Sequence, residues 1–540
     1  MLNKRSELFR SLFVLFIFLA LCWAFQYGDI LGLRPRIFHV FRQADCLSLT
    51  DNYYHGNWNF FQPSLHILFS DNQTTGKSAG EFPLLYYFVA ILWKIFGKHE
   101  YIFRLVTIGF SLAGMYALYK LVYAILKDYF WALASAVLLF CSPIYAYYTN
   151  NFLVNVPAFS LMLIALYYFY LFWQSGKNKH FYICMALFLL AGLFKISSLL
   201  SFVVIGVIYL AEVSKLVRFK KEGLVFSQPR KQLFPFLIVL VGVSSWYLYA
   251  NYYSNLHGGK YTYNGTASYW SETKAERKGA YDSVKEFMLY QIYSVATFVY
   301  LIACLIILAI NFHKISMIWR ITIPLLLLGY TTFIMLFFYS LNGHDYYHID
   351  FLLIPVIINL AFLHYLSVNE IWALKSVSLK VFFSFFILYN VLYCSNNMHM
   401  RYWQTADDEK LYRQVFAPKT DLDLWNWYAW SYPNGSLEQV TPTLRAMGIK
   451  RDDVFLCPND ESFSIHLYLM DQKGFTNMQG ALVDSAAIST RIRNGAKYME
   501  VSDTTTLNEP RLRPYIHHEI KRFGNLRIYD LSPYKVDIKS

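Results

Sequence analysis

The sequence predicts a polytopic α-helical membrane protein of about 11 spans that ends in a small extracytoplasmic α/β domain. Three observations predict it. Of the 540 residues, 56% are apolar, 19% aromatic and only 15% charged, against about 25% charged in an average soluble domain. Apolar runs of roughly the 20 residues needed to cross a bilayer recur through residues 1–398. The charge is also divided. Residues 399–540 hold 18 Lys+Arg and 18 Asp+Glu, so the whole net charge of +13 falls in residues 1–398. These values exclude a disordered chain, a collagen-like fibre and a small disulfide scaffold. The basic excess lies between apolar runs, which reads as loops facing anionic lipid and sites for anionic ligands, not as a nucleic-acid surface. The seven cysteines form no CxxC or CxH pattern, so neither a zinc site nor a disulfide framework is expected.

Eleven apolar runs follow in order: 8–25, 82–97, 101–126, 130–148, 152–173, 181–213, 233–252, 289–310, 319–340, 350–366 and 380–396. The first reads as an uncleaved anchor, since no small-residue cleavage site follows it. The sixth is too long for one straight crossing and carries Lys195 in its middle. Basic residues near the ends set the orientation. Lys4, Arg5 and Arg10 keep the N-terminus inside. Lys94, Lys98 and Arg104 then fall inside, with the cluster from Lys215 to Lys231, Lys314 and Arg320, and Lys375 and Lys380. Counting 181–213 as one crossing keeps the most basic loop inside; the loop with Lys177 and Lys179 runs against the trend. Residues 26–81, 253–288, 341–349 and 399–540 are then outside.

Residues 399–540 read as a separate domain. Asp453–Cys457, Lys497–Val501 and Leu526–Tyr529 have the look of short buried strands. Ser462–Gln472 and Arg511–Phe523 have helical spacing. No phosphate loop or nucleophile elbow is present, so a docking or acceptor-guiding module without chemistry of its own is expected.

The first outer loop, 26–81, carries two notable acids. Asp45 follows Arg42 by three residues in a helix-like stretch, and Glu81 stands at the mouth of the second span before Pro83. An acid at an apolar boundary is partly desolvated, which raises its pKa and makes it a better proton acceptor. The plainer alternative pairs Asp45 with Arg42 and has Glu81 cap a helix. Gly343–His348, with His344, Tyr346 and Tyr347, is dense in donors and suits an anion or sugar, or else an aromatic belt. In 253–288, His257 and Lys260 lie among Tyr and Trp residues that suit a sugar phosphate, or else a solvated loop. Lys195 is an intramembrane cation, which is costly to bury and so a candidate for function.

Taken together, these stretches resemble the GT-C superfamily of polytopic glycosyltransferases. Within it they look most like bacterial relatives of protein O-mannosyltransferases and lipid A aminoarabinose transferases. The resemblance rests on Arg42-Gln43-Ala44-Asp45, on Gly80-Glu81-Phe82-Pro83-Leu84, on Ala191-Gly192-Leu193-Phe194-Lys195 and on His344-Asp345-Tyr346-Tyr347, and covers roughly residues 1–366. It implies an enzyme that moves a sugar from a polyprenyl-phosphate donor to a hydroxyl of a glycolipid, glycan or protein on the extracytoplasmic face of the plasma (inner) membrane. By resemblance, Asp45 is the catalytic acid of the first loop and Glu81 the acid before the Pro-Leu motif. Two departures stand out. Many relatives have Asp-Glu where this chain has Asp45-Cys46, and several have Lys-Pro-Pro-Leu where it has Phe82-Pro83-Leu84. The phosphate-binding cation then falls to Arg42, Lys260 or His344, with Lys195 and His257 as further ligands. Asp45 as general base gives inversion at the anomeric carbon. No cofactor and no essential metal are expected. Competing readings are a lipid-linked sugar transporter or flippase, a polysaccharide ligase or polymerase, and a noncatalytic scaffold.

Overall fold

The computed structural model describes residues 2–535, except 57, 221–222, 259–266, 424 and 426–434. The chain forms two compact units, each discontinuous in sequence. One comprises residues 1–32, 103–245 and 265–429, the other residues 33–102, 246–264 and 430–540.

The first unit is helical. Among the described residues of the whole chain, eight helices are long and apolar enough to cross a membrane: Glu7–Ala24, Glu100–Leu126, Asn155–Ser175, Ile196–Val213, Pro229–Leu256, Met317–Leu336, Asp345–Asn369 and Val377–Trp403. Two bent pairs, Tyr129–Phe140 with Pro143–Thr149 and Lys274–Ile292 with Val295–Ile310, bring the number to ten.

Two expected spans are corrected. The run at 82–97 becomes a helix of only 13 residues, Leu84–Phe96, about 20 Å long and too short for a hydrocarbon core of about 30 Å. The run at 181–213 becomes two helices, Asn178–Phe194 and Ile196–Val213, broken at Lys195. Lys195 caps the first of them in extended backbone, φ −153°. Of these, Ile196–Val213 is among the ten, whereas Leu84–Phe96 and Asn178–Phe194 are shorter apolar helices outside that number.

Contacts inside this unit sort its helix ends. At one end Arg10 lies 3.8 Å over the ring of Tyr129, Lys120 faces Glu7, and Lys380 pairs with Asp128 at 2.6 Å. Asn178 exchanges side-chain hydrogen bonds with Gln228 and Gln232 there. An apolar cavity of about 380 Å³, lined by Ile125, Trp173, Phe219, Ser316, Trp319 and His364, joins the remaining helices to that end. Lys177 and Lys179 therefore fall with the basic cluster after 213, and their exception to the charge trend disappears. At the other end Arg104 donates to the carbonyl of Asn150, Asn150 donates to that of Tyr27, and Asn155 donates to that of Tyr346 at 3.0 Å. Arg104, expected on the cytoplasmic side, thus lies at the end that carries Tyr346.

The second unit contains a five-stranded sheet of order β2-β1-β3-β5-β4. β1 is Val454–Cys457, β2 Lys473–Thr476, β3 Ala496–Val501, β4 Glu519–Phe523 and β5 Leu526–Asp530. β2, β1 and β3 are parallel, while β5 and β4 pair antiparallel. The three expected strands are present. The helix expected at Arg511–Phe523 is instead a short 3₁₀ turn, Arg513–Tyr515, and the strand β4. Its turn to β5 passes through Gly524 at φ +58°, the left-handed region where glycine is unstrained. The helix expected at Ser462–Gln472 is only Ile465–Leu469.

The first outer loop is built into this same unit. Leu68 N–H donates to the carbonyl of Gly474, and Gly474 N–H donates to that of His66, so residues 66–68 run along the free edge of β2. Gly474 is squeezed between this segment and β1: a Cβ there would stand 2.0 Å from the carbonyl oxygen of Phe455. Leu68 completes the apolar core formed by Leu456, Phe475, Ile488, Ile492 and Met499.

Candidate functional site

In the second unit, Asp45 lies on the helix Val40–His55. This helix buries Ala44, Cys46, Leu47 and Leu49 and takes Asp45 into the interior with them. It packs on Leu84–Phe96, where Cys46 Sγ lies 3.4 Å from the Tyr86 hydroxyl and the rings of Tyr53 and Tyr87 meet at 5.2 Å.

The structure brings Arg42, Asp45 and Glu81 together. Arg42 Nη2 donates to Glu81 Oε1 at 2.6 Å, whereas its Nη1 is 3.8 Å from Asp45 Oδ2. Glu81 is therefore an arginine partner and not a helix cap; the following helix has Pro83 at its N-cap and no side-chain cap bond. Asp45 is 2% exposed, and its Oδ1 has no hydrogen-bond partner among the described residues. Burial pushes its pKa up to about 7, against the pull of Arg42 and with help from the charges of Glu81 and Asp460. A buried carboxylate with an unfilled acceptor and a pKa near neutrality is equipped to take a proton.

His257, in the same unit, is held 2.6 Å from Asp71, which Lys77 also approaches. This pair lowers the pKa of Asp71. Lys260 lies outside the described residues.

In the helical unit, Lys195 is 9% exposed. Its ammonium stands 4.8 Å from the centre of the Tyr347 ring and has no hydrogen-bond or salt-bridge partner among the described residues. Just beyond Lys195, Ser197 and Ser198 donate to the two oxygens of Asp350 at 2.5 Å each, which fixes the helix break. Tyr346 and Tyr347 stack at 4.5 Å, and His344 lies 6.0 Å from the Tyr346 ring. The motif and the intramembrane lysine therefore share one end of this unit: a cation beside two tyrosines, which suits an anionic ligand.

Two clusters escaped the sequence reading. Asp345 pairs with Arg401 at 2.8 Å and accepts from Tyr148 at 2.6 Å. Arg401 fell just beyond the apolar run at 380–396, but the helix continues to Trp403. The second cluster gathers Asp51, His66 and Asp471 within 4.8 Å. These are metal-ligand types, yet Lys98 stands 2.6 Å from Asp51, Arg451 2.9 Å from Asp51 and 3.2 Å from Asp471, and Arg445 3.0 Å from Asp471. Three cations already fill these carboxylates, so the donor set fits a salt-bridge network and not a divalent ion.

Residues 80–249, which begin at the Gly80-Glu81 motif and include Lys195, match the family model described as dolichyl-phosphate-mannose-protein mannosyltransferase. No curated protein matches the sequence at a significant level. Among solved structures, ArnT from Cupriavidus metallidurans bound to undecaprenyl phosphate is similar, with a TM-score of 0.55 at 10% identity, over 96% of this chain and 97% of that one. The arabinofuranosyltransferase AftD from Mycobacteria is similar with a TM-score of 0.53 at 13% identity, over 95% of this chain and 39% of that one. The chain thus has the fold of the GT-C superfamily of polytopic membrane glycosyltransferases, the superfamily that its motifs resemble.

Proposed function

We propose that the protein transfers a sugar from a polyprenyl phosphate to a hydroxyl acceptor, with Asp45 as general base. One observation carries the reading: a buried carboxylate with an unfilled oxygen and a pKa of about 7, on the loop whose motif the superfamily shares. The acceptor O–H gives its proton to Asp45 Oδ1. The oxygen bonds to the anomeric carbon as the bond from that carbon to the phosphate oxygen breaks. The polyprenyl phosphate leaves with the electron pair, and the configuration inverts. A phosphate leaves without protonation, so the reaction needs cations where negative charge grows. In the unit that holds Asp45, Arg42 is the cation beside it and is assigned that role; Lys195, with His344, Tyr346 and Tyr347, offers an anion site within the helical unit. Glu81 holds Arg42. No metal enters the scheme. The similarity to a structure bound to undecaprenyl phosphate supports a polyprenyl carrier.

The helical unit's basic end supports an orientation: by the positive-inside rule it faces the cytoplasm, and the end with Lys195 and Tyr346 faces away from it. In this reading the membrane is the plasma (inner) membrane and the end with Lys195 is extracytoplasmic. Single cysteines at exposed Lys179 and Ser271 test it, because the seven native cysteines are buried. An impermeant reagent applied to intact cells is expected to label position 271 and spare 179; the reverse would overturn the orientation.

Asp45→Asn, nearly isosteric, tests the mechanism. The variant is expected to insert and fold while the glycan linkage made by the wild type disappears. Wild-type transfer by this variant would remove Asp45 from the chemistry.

A further inference from the structure

Residues 430–540 carry no catalytic motif, yet they belong to the same unit as the Asp45 helix. Arg451, at the entry to β1, reaches into that helix. Its Nη2 lies 2.9 Å from Asp51 Oδ2, 2.8 Å from Asn52 Oδ1 and 3.2 Å from His66 Nε2. His66 Nδ1 in turn lies 2.7 Å from Ser48 Oγ, which also accepts the N–H of His66. One guanidinium, directly and through His66, thus ties Ser48, Asp51 and Asn52 of the helix that carries Asp45 to the sheet. The side chain of Arg451 is 14% exposed and that of Asp51 is fully buried.

A second tie runs through the backbone. Residues 66–68 pair with Gly474 on β2, so His66 is fixed to the sheet from both its main chain and its ring. Beyond the other end of β1, Asp460 is fully buried and accepts from Ser462 and from the N–H of His466. It lies close enough for its charge to act on Asp45. The two flanks of β1 therefore address two positions of one helix, six residues and about 9 Å apart.

We infer that the C-terminal sheet is the mount of the catalytic helix and that Arg451 is its positioning residue. The inference rests on Asp45 as the base. A general base works only within hydrogen-bond reach of its proton, and a displacement of about 1 Å costs on the order of 10²-fold in rate. Helix and sheet share no covalent link shorter than 400 residues, so alignment depends on these side-chain and edge contacts.

Arg451→Ala in the full-length protein tests this. Per mole of folded enzyme, turnover is expected to fall at least tenfold, while binding of undecaprenyl phosphate alone is unchanged. Free guanidinium at sub-denaturing concentration is expected to restore part of the turnover by filling the vacated position. A merely stabilising residue would lower the folded yield and leave turnover per folded molecule intact, with no rescue; that result overturns the inference. If Arg451→Ala does not fold, Arg451→Lys replaces it. This variant keeps the charge but cannot make the three contacts from one planar group, and wild-type turnover by it overturns the inference equally. Asp45→Asn separates the two readings: inactive Asp45→Asn with fully active Arg451 variants refutes the mount alone, whereas active Asp45→Asn refutes the base.

Discussion

Asp45 and Asp51 are the same residue type on the same helix, both buried, and their environments push them in opposite directions. Asp45 has one cation, Arg42, at 3.8 Å, and that cation's shorter bond goes to Glu81. Desolvation wins, and the pKa rises to about 7. Asp51 has Lys98 at 2.6 Å, Arg451 at 2.9 Å, His66 at 3.2 Å and His55 at 3.3 Å. Compensation wins, and its carboxyl is held well below the usual range. Burial, with the charge of Arg451, pushes His66 down to about 4 against the pull of Asp51 and Asp471, so its ring is neutral at physiological pH. Burial alone therefore does not mark a functional acid. What marks it is burial left without sufficient counter-charge, because only then does the group exchange a proton near neutral pH.

The largest effect expected from this contrast is on Asp45 itself. Asp45→Asn should reduce transfer by about 10²–10⁴-fold, the range for loss of a general base, as read by the yield of glycan product per folded enzyme. Asp51→Asn should act on folding instead. It removes the buried carboxylate that faces Lys98, Arg451 and His66 and leaves Asp471 as the acid both cations share, at a cost of about 1.5–3 kcal/mol, seen as loss of folded protein in detergent. The sign with pH follows from the lowered carboxyl: the stability contributed by Asp51 is present above the ordinary aspartate range and is lost as pH falls through its depressed value.

A smaller effect sharpens the Asp45 side. The rate should rise tenfold per pH unit up to about 7 and then level, since the base works only when deprotonated. Glu81→Gln removes a repelling charge and releases Arg42, so this limb should move to lower pH by about one unit. A limb unmoved by that change would detach Glu81 from the setting of Asp45. The smallest effect is on stability. A raised carboxyl stabilises the fold below the ordinary aspartate pKa and loses that contribution as pH rises through 7. Asp45→Asn should therefore melt about 2–4 °C higher than wild type at pH 8, with the difference shrinking as pH falls toward the ordinary aspartate value.

Much of this was legible in the sequence, for identifiable reasons. Apolar runs set against loop charge exposed the helical body, and Arg42, Asp45 and Glu81 stood together in a loop with few other acids. The errors are physical too. One face of the run at 82–97 is apolar because it packs on the Asp45 helix through Tyr86 and Tyr87; its other face, with Leu84, Phe88, Ile91, Ile95 and Phe96, is exposed, and its 13 residues are too few to cross a bilayer. Lys195 interrupts a long run because the helix breaks there, with Asp350 taking the serine hydroxyls after it, and periodicity does not report a partner about 150 residues away. The strand β4 alternates over too few residues to be told from a helix turn. The network around Asp51 was invisible because its members are distant in sequence and none stands in a motif.

The 400-residue gap between Asp51 and Arg451 also sets a timetable for biogenesis. At about 5–20 residues per second, the ribosome delivers Arg451 roughly 20–80 s after Asp51. During that interval the loop holds an acid without its arginine and a strand edge without its neighbour. Such a nascent chain is open to quality-control proteases, and a premature stop before residue 451 leaves it in that state for good.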